Sequence, residues 1–261
     1  MNTTRPRTLH IAAAQSPSID GDTAHNLRTH LAFIEVAASR GIRLLVFPEL
    51  SLTGYSPAAL AAHHFHAAHP DLMRLQRAAQ PHGLTLVVGA PAEPLQLGAL
   101  PAIGAWILGA DGSVQLYRKR HLHGGEQAFA SAGDQDAMVL PLAGEPTGLA
   151  VCADATHEEH AKAAHAAGAA LYASGAVISE AGYGPESRQL AGYAREHGMA
   201  VLLANHGGPT GGYVSAGRSA FWAPGGLLVA QAPGPGAWLV DAQRTADGLW
   251  SGEALAMELA A

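Results

Sequence analysis

The chain has 261 residues, 48% of them hydrophobic and 14% charged, which is enough apolar sequence for a large buried core and excludes a disordered protein. The net charge is −6 and no basic stripe occurs, so neither nucleic acids nor anionic membranes are expected partners. The single cysteine excludes an internal disulfide. No stretch has the length and apolarity of a membrane span, and residues 1–7 lack the apolar run of a signal peptide. These features predict a cytoplasmic protein.

The first half of the chain alternates between strand and helix patterns. Apolar runs of strand length predict strands at residues 8–15, 42–47 and 84–89. Apolar residues at helical spacing predict a helix between an N-cap near Asp22 and a terminal glycine at Gly41. Residues 58–82 predict two further helices separated near Pro70, and Asp111-Gly112 between two apolar runs predicts a hairpin over 102–117.

The second half continues the alternation. Strands are predicted at residues 137–140, 147–151, 169–173, 199–204 and 237–241, and helices at 158–167 and 186–197. A second hairpin is predicted over 219–230 around Pro224-Gly225, and the tail after Gly252 has helical propensity. Buried strands alternating with helices, with hairpins mixed in, predict an α/β fold with layered mixed sheets, formed as one domain over residues 1–261.

The only cysteine, Cys152, ends one of the predicted strands. The apolar run 148–151 precedes it, and the polar segment that follows, starting at Asp154, favours the start of a helix. A thiol in this position lies where an α/β sheet opens its crevice. Backbone N–H groups and a helix dipole would favour the thiolate, although a free cysteine is more often an ordinary buried apolar side chain.

Two other ionisable residues follow strands in the same way. Glu49 follows the strand at 42–47, and Lys119 follows the strand at 113–117. If these strand ends meet, Glu49 is placed to take the proton of the thiol, and Lys119 together with the N–H of Ala153 is placed to stabilise the negative charge that develops when Cys152 attacks a carbonyl or nitrile carbon. Taken alone, Glu49 is equally a loop acid and Lys119 part of a solvated basic cluster.

Three motifs occur in order around these residues. They are Phe47-Pro48-Glu49-Leu50 with Gly54-Tyr55, then the run YRKRHL at residues 117–122 with Glu126 and Phe129, and then Cys152-Ala153-Asp154. In this order the chain resembles the nitrilase superfamily of carbon–nitrogen hydrolases. Asn205 and the segments 217–219 and 224–225 add to the resemblance, whereas Ala153 stands where many members have an aromatic or polar residue, which leaves the substrate open.

The resemblance implies a four-layer α-β-β-α sandwich that dimerises into an extended sandwich, and it implies no cofactor and no metal. It implies Glu49 as general base and acid, Lys119 as stabiliser of the tetrahedral intermediate, Cys152 as nucleophile, and Glu126 as a second acid that positions Lys119 and the substrate. We expect hydrolysis of a small linear amide through a cysteine thioester. The alternatives are a nitrilase, an N-carbamoyl hydrolase, an ammonia-supplying subunit of a synthetase, and an inactive binding protein.

Other patterns leave further alternatives. The chain has 15 histidines, so Cys152 with a histidine is an alternative thiol pair, and residues 63–66 or His157 with His160 are alternative metal ligands. Surface histidines are the more usual explanation. The glycine-rich run 207–212 lacks the Lys-Ser/Thr of a phosphate loop, which favours a tight turn or a loop beside the substrate. Tyr55 is a candidate substrate-binding residue, although Tyr55, Tyr183 and Trp222 are equally explained as core aromatics.

Overall fold

The structure is a computed structural model that describes residues 8–259, so the prediction about residues 1–7 lies outside the described part. Thirteen strands follow one another along the chain: β1 (Leu9–Gln15), β2 (Leu44–Val46), β3 (Thr85–Ala92), β4 (Ala102–Leu108), β5 (Val114–Arg118), β6 (Met138–Leu142), β7 (Glu145–Val151), β8 (Leu171–Ala176), β9 (Ala200–Asn205), β10 (Ala220–Ala223), β11 (Leu227–Gln231), β12 (Trp238–Arg244) and β13 (Trp250–Ala256). Within the same described range, five α-helices lie between the strands: α1 (Thr23–Ser39), α2 (Pro57–Ala62), α3 (Pro70–Ala79), α4 (Glu158–Ala166) and α5 (Glu180–Glu196).

The strands form two mixed sheets. The first has seven strands in the order β13-β12-β1-β2-β3-β4-β5, and the second has six in the order β11-β10-β9-β8-β7-β6. Strands β1, β2 and β3 are parallel, and β4 and β5 follow as antiparallel neighbours. In the second sheet β7, β8 and β9 are parallel. As a result β2 and β5 run in the same direction and end at the same edge of the first sheet.

Helices cover the outer face of each sheet. One apolar cluster contains side chains from both sheets, such as Ile11 and Val46 from the first and Leu149 and Leu202 from the second, and it fills the space between them. A second cluster packs α1 and α3 on the first sheet, and a third packs α4 and α5 on the second. This arrangement confirms the α/β class with mixed sheets and the four-layer α-β-β-α sandwich that the resemblance implied.

Local sequence signals set most of the boundaries. The side chain of Asp22 accepts a hydrogen bond from the N–H of His25 at 2.9 Å and caps α1, as predicted. Gly41 follows the helix with a φ of 72°, a conformation that favours glycine. The predicted hairpin over 102–117 is present as the antiparallel pair β4 and β5.

Two predicted elements are wrong. The tail after Gly252 was expected to be helical, but residues 250–256 form β13, which pairs antiparallel with β12 along its whole length. The helix predicted from residue 186 begins at Glu180, six residues earlier, although Pro185 then lies inside it. Ser179 caps this helix by accepting from the N–H of Gly182, and Tyr183 anchors its first turns because the buried ring donates its hydroxyl to the carbonyl of Arg218 at 2.6 Å.

Helices that could span a membrane were searched for among residues 8–259, and none has the required combination of length and apolarity.

Candidate active site

The three predicted reactive side chains lie together between the sheets. Glu49 follows the end of β2, in a segment that passes close to both sheets. A Cβ at Gly89 of β3 would lie 2.1 Å from the carbonyl oxygen of Pro48, and one at Gly175 of β8 would lie 2.5 Å from that of Phe47. Only glycine at these two positions leaves room for the backbone that carries Glu49.

Lys119 is held between two buried carboxylates. Its Nζ donates to Oε1 of Glu49 at 2.7 Å and to Oε1 of Glu126 at 2.7 Å. The ammonium is fully buried, and both carboxylates are only 1% exposed. The hydroxyl of Tyr55 donates to Oε1 of Glu126, and the N–H of His123 donates to Oε2 of Glu126 at 2.7 Å. A buried charge requires such partners, so Glu126 fixes the position of Lys119.

The charges and burial of this cluster bring the pKa of Glu49 close to neutral pH. Burial raises the pKa of Glu49 to about 7, because desolvation and the neighbouring Glu126 outweigh the stabilising charge of Lys119. Burial alone would lower the pKa of Lys119, but Glu49, Cys152 and Glu126 together hold it above its usual range. Lys119 therefore stays protonated at pH 7, whereas the raised pKa of Glu49 lies close to that pH.

Cys152 follows β7 on the opposite sheet and begins a short 3₁₀ helix, Cys152–Thr156. Its φ is 47°, a left-handed conformation that is uncommon for a residue with a side chain. Burial and the charge of Glu49 raise the pKa of the thiol well above its usual value, although Lys119 opposes this shift. Desolvation beside a carboxylate therefore opposes the thiolate that the strand-end position was expected to favour, and the thiol needs a base.

Glu49 has a free oxygen for this purpose. Its Oε1 accepts from Lys119, but its buried Oε2 has no hydrogen-bond partner among the described residues. Glu49 and Cys152 line the same cleft, and the Cys152 thiol is among the groups that lower the pKa of Glu49. An unpaired buried carboxylate oxygen is costly, and such orphaned atoms concentrate at functional sites.

Asp154, which the sequence analysis gave no role of its own, joins the two reactive segments. Its Oδ1 accepts from the backbone N–H groups of Arg120 at 3.0 Å and His121 at 2.7 Å, and its Oδ2 accepts from the N–H of Val151 at 3.0 Å. The hydroxyl of Tyr117 also donates to Oδ2 at 2.8 Å. The buried carboxylate thus ties the backbone next to Lys119 to the turn that carries Cys152.

His206 was also missed, and it holds the backbone of Glu49. Its Nε2 lies 2.6 Å from the carbonyl oxygen of Glu49, which can only accept, so this nitrogen carries the proton. Its Nδ1 lies 3.3 Å from the hydroxyl of Ser18. Burial lowers the pKa of His206 to about 4, so the ring is neutral at pH 7.

A cleft of about 80 Å³ opens onto these groups. Its lining residues come from several segments of the chain: Glu49, Tyr55, His123, Cys152, Ala153, Thr156, Val177, Ser179, Glu186 and Tyr213. Four of the six predicted site residues line the cleft, namely Glu49, Tyr55, Cys152 and Ala153. The other two, Lys119 and Glu126, lie directly behind it and contact each other. Glu186 and Tyr213 were not predicted as site residues.

The structure brings no histidine of the described residues to the Cys152 thiol, and it leaves neither ring nitrogen of His160 free. No histidine hydrogen-bonds to the Cys152 thiol within residues 8–259; the thiol contacts the carbonyl of Val177 at 3.9 Å. Both ring nitrogens of His160 are engaged, by the hydroxyls of Tyr117 at 2.9 Å and Tyr172 at 2.8 Å, which removes it as a metal ligand.

Over the described part of the chain, one group of side chains has the spacing to hold a metal ion. One ligand atom from each of His121, His157 and Glu159 lies within 4.8 Å of the others. The Nδ1 atoms of the two histidines already contact Asp154 and the carbonyl of Ala153, and the rings stack with centroids 4.0 Å apart. The cluster lies outside the cleft lining.

The three candidate aromatic residues differ in where they lie. Tyr183 and Trp222 pack in the core between the second sheet and its helices, whereas Tyr55 lines the cleft. The glycine-rich run 207–212 is a loop that leads to Tyr213, whose ring stands edge-to-face to Tyr55 at 5.5 Å. Thr210 and Tyr213 exchange backbone hydrogen bonds across Gly211 and Gly212, so the run ends in a tight turn, one of the two alternatives, and Tyr213 after it lines the cleft.

Comparison with known proteins supports one family. The family model described as carbon–nitrogen hydrolase matches residues 10–245. A mutant of the amidase from Nesterenkonia sp. AN1 in complex with butyramide superposes with a TM-score of 0.82 at 29% identity, covering 92% of each chain. Another mutant of that amidase, covering 89% of this chain and 92% of its own with a TM-score of 0.80 at 29% identity, shows Michael addition of acrylamide at the active-site cysteine.

Similarity also extends to a larger enzyme. A glutamine-dependent NAD(+) synthetase from Xylella fastidiosa is 31% identical over 206 residues, which is 76% of this chain and 37% of the synthetase. The chain thus spans little more than a third of that relative. A protein described as a hydrolase in the pqqF 5′ region of Pseudomonas protegens is 31% identical over 170 residues, covering 63% of this chain and 58% of that protein.

Proposed function

The chain belongs to the carbon–nitrogen hydrolase family, and from this premise we propose that it hydrolyses a small linear amide, with Cys152 as nucleophile, Glu49 as general base and acid, and Lys119 and Ala153 as stabilisers of the oxyanion. Amidase structures that align over nine tenths of both chains support the reaction class. The observation that carries the proposal is the unpaired Oε2 of the buried Glu49, which lines the same cleft as Cys152.

The first half-reaction forms a thioester. Oε2 of Glu49 takes the thiol proton while Sγ of Cys152 attacks the amide carbonyl carbon, and the carbonyl π electrons move to oxygen. Lys119 has three N–H donors, and two are used by Glu49 and Glu126, so the third is free for the oxyanion. The N–H of Ala153, in the first turn of the 3₁₀ helix, is the second donor. Glu49 then passes its proton to the leaving nitrogen, and ammonia or an amine departs.

The second half-reaction releases the acid. Glu49, ionised again, takes a proton from a water molecule that attacks the thioester carbonyl. The tetrahedral intermediate collapses, the carbon–sulfur bond breaks, and Sγ recovers the proton from Glu49. A base with a pKa of about 7 suits both directions of transfer at neutral pH. Glu126 and Tyr55 hold Lys119 and the wall of the cleft in place throughout.

A substrate panel tests this proposal. Purified protein is incubated with aliphatic amides, ω-amides, N-carbamoyl amino acids and nitriles, and ammonia release is measured. We expect amides to be hydrolysed and intact mass to show an acyl adduct that is absent from Cys152→Ala. Release from nitriles or carbamoyl compounds alone would establish a different family reaction, and full turnover by Cys152→Ala would refute the nucleophile.

A second candidate is favoured by the similarity to glutamine-dependent NAD(+) synthetase. In that case the substrate is glutamine and the ammonia serves a synthetase on another chain. Ammonia release from glutamine at a higher kcat/KM than from any aliphatic amide would select this candidate.

Three further expectations belong to the proposal. We propose that residues 1–261 form one carbon–nitrogen hydrolase domain, that it pairs as a homodimer, and that it acts in the cytoplasm. Light scattering at low micromolar concentration tests the dimer, because a mass near 26.8 kDa would establish a monomer.

A further inference from the structure

The charged side chains that line the cleft are acidic. Two carboxylates, those of Glu49 and Glu186, line it, and its described lining contains no lysine or arginine. Lys119 lies behind the lining, fully buried, and its charge is shared between Glu49 and Glu126. A substrate in this cleft therefore meets an excess of negative charge.

Glu186 differs from Glu49 in having no role in the proposed chemistry. It lies in the first half of α5, and within residues 8–259 its carboxylate forms neither an ion pair nor a hydrogen bond. Glu180 on the same helix, by contrast, pairs with Arg218 at 2.7 Å. Burial raises the pKa of Glu186 with no partner to offset it, and its charge reaches far enough to raise the pKa of Cys152. A half-buried carboxylate without a partner lacks the compensation that protein charges normally find.

We propose that Glu186 is a specificity-determining residue that selects amides carrying a cationic amine on the acyl chain and disfavours those carrying a carboxylate. This inference rests on the proposed amide hydrolysis and adds the charge of the substrate. An ammonium beside Glu186 supplies the missing partner of that carboxylate. The rings of Tyr55 and Tyr213, 5.5 Å apart at the cleft, add surfaces that tolerate a cation.

The charge of Glu186 also ranks the alternative substrate classes. N-carbamoyl amino acids carry a carboxylate, for which the cleft lining has no cationic partner, and the charge of Glu186 repels it. Glutamine carries both an ammonium and a carboxylate, so Glu186 satisfies only one of its charges. Amides with an amine and no carboxylate are the class that the cleft fits best.

Three amides of similar length isolate the charge. 4-Aminobutanamide is cationic, pentanamide replaces the ammonium by a methyl group, and succinamate ends in a carboxylate. Ammonia release gives kcat/KM for each in the wild-type protein, in Glu186→Gln and in Glu196→Gln. The last variant makes the same charge change at the exposed end of α5, where Glu196 forms an ion pair with the neighbouring Arg195. Binding of the three amides to Cys152→Ser, by calorimetry, gives the charge preference independently of turnover.

We expect the wild type and Glu196→Gln to prefer the cationic over the neutral amide by about tenfold, with succinamate the poorest, and Glu186→Gln to lose most of that ratio through KM. Equal kcat/KM for the three amides, or a preference that Glu186→Gln leaves unchanged, overturns the inference while hydrolysis stands. Binding in the order cationic, neutral, anionic without ammonia release refutes the proposed hydrolysis while the inference stands.

Discussion

Asp154→Asn is the substitution whose effect follows most directly from the structure. The two carboxylate oxygens of Asp154 accept three backbone N–H groups and one phenol, Oδ1 also lies 3.2 Å from Nδ1 of His121, and all these contacts are buried or half-buried. Asparagine has the same shape but only one acceptor oxygen. If its NH₂ replaces Oδ1, it faces the N–H groups of Arg120 and His121, and if it replaces Oδ2, it faces the N–H of Val151.

At least one backbone donor is then left opposite another donor. An unpaired buried donor costs about 1–3 kcal/mol, and the remaining bonds lose the strengthening that the ionised acceptor gives them. We expect a loss of about 3 kcal/mol in the free energy of unfolding, which lowers Tm by about 6–12 °C for a chain of this size. Because the lost bonds join the segment of Lys119 to the turn of Cys152, kcat falls as well, by about tenfold or more.

Differential scanning fluorimetry and ammonia release measure these two effects. Asp136→Asn is the matched control, since Asp136 is 83% exposed and contacts Arg120 at 3.5 Å, and its Tm should stay within about 2 °C. A Tm for Asp154→Asn within the same margin, together with wild-type kcat, would show that Asp154 does not couple the two segments.

Three further predictions concern the reacting groups. Because Glu49 must be ionised to act as base and its pKa is raised to about 7, kcat/KM for a neutral amide should rise with pH and level off above about 7; a flat profile from pH 5 to 8 would exclude this role. Cys152→Ala should show no ammonia release and no acyl adduct by intact mass. Lys119→Met should lower kcat by about 10²–10³. It should also move the rise of the pH profile to higher pH, because the charge of Lys119 lowers the pKa of Glu49. An unshifted profile would contradict this electrostatic coupling.

The sequence predicts the parts of the fold that local patterns control. The alternation of strands and helices and the hairpin at Asp111-Gly112 are present because burial, capping and turn chemistry all favour them. The segment of β13 has helical propensity, but pairing with β12 and the contact of Glu253 with the guanidinium of Arg40 hold it as a strand. The pairing follows a short turn around Asp247-Gly248, a local hairpin signal that the sequence analysis did not use, whereas the contact with Arg40 joins residues distant in sequence.

The residues of the site also divide into those that a local motif indicates and those that only the fold brings together. Glu49, Lys119 and Cys152 were found because each follows a strand within a recognisable motif. Asp154 stood in one of those motifs, yet its partners at 120 and 121 are joined to it only by the fold. Glu186 carries no motif, and the helix that bears it was predicted to start six residues too late because Gly182, Gly184 and Pro185 are poor helix formers. Its place at the cleft depends on the anchoring of Tyr183.

The cleft is built from two kinds of support. Its reactive groups stand at the ends of core strands, whereas Ser179 caps α5, Glu186 belongs to the first half of that helix and Tyr213 to the loop after β9. This separation lets recognition evolve without disturbing the chemistry. A combinatorial library restricted to residues 179, 186 and 213 should yield variants with new acyl preferences that retain the thioester cycle, so the scaffold is suited to directed evolution of amide-cleaving catalysts.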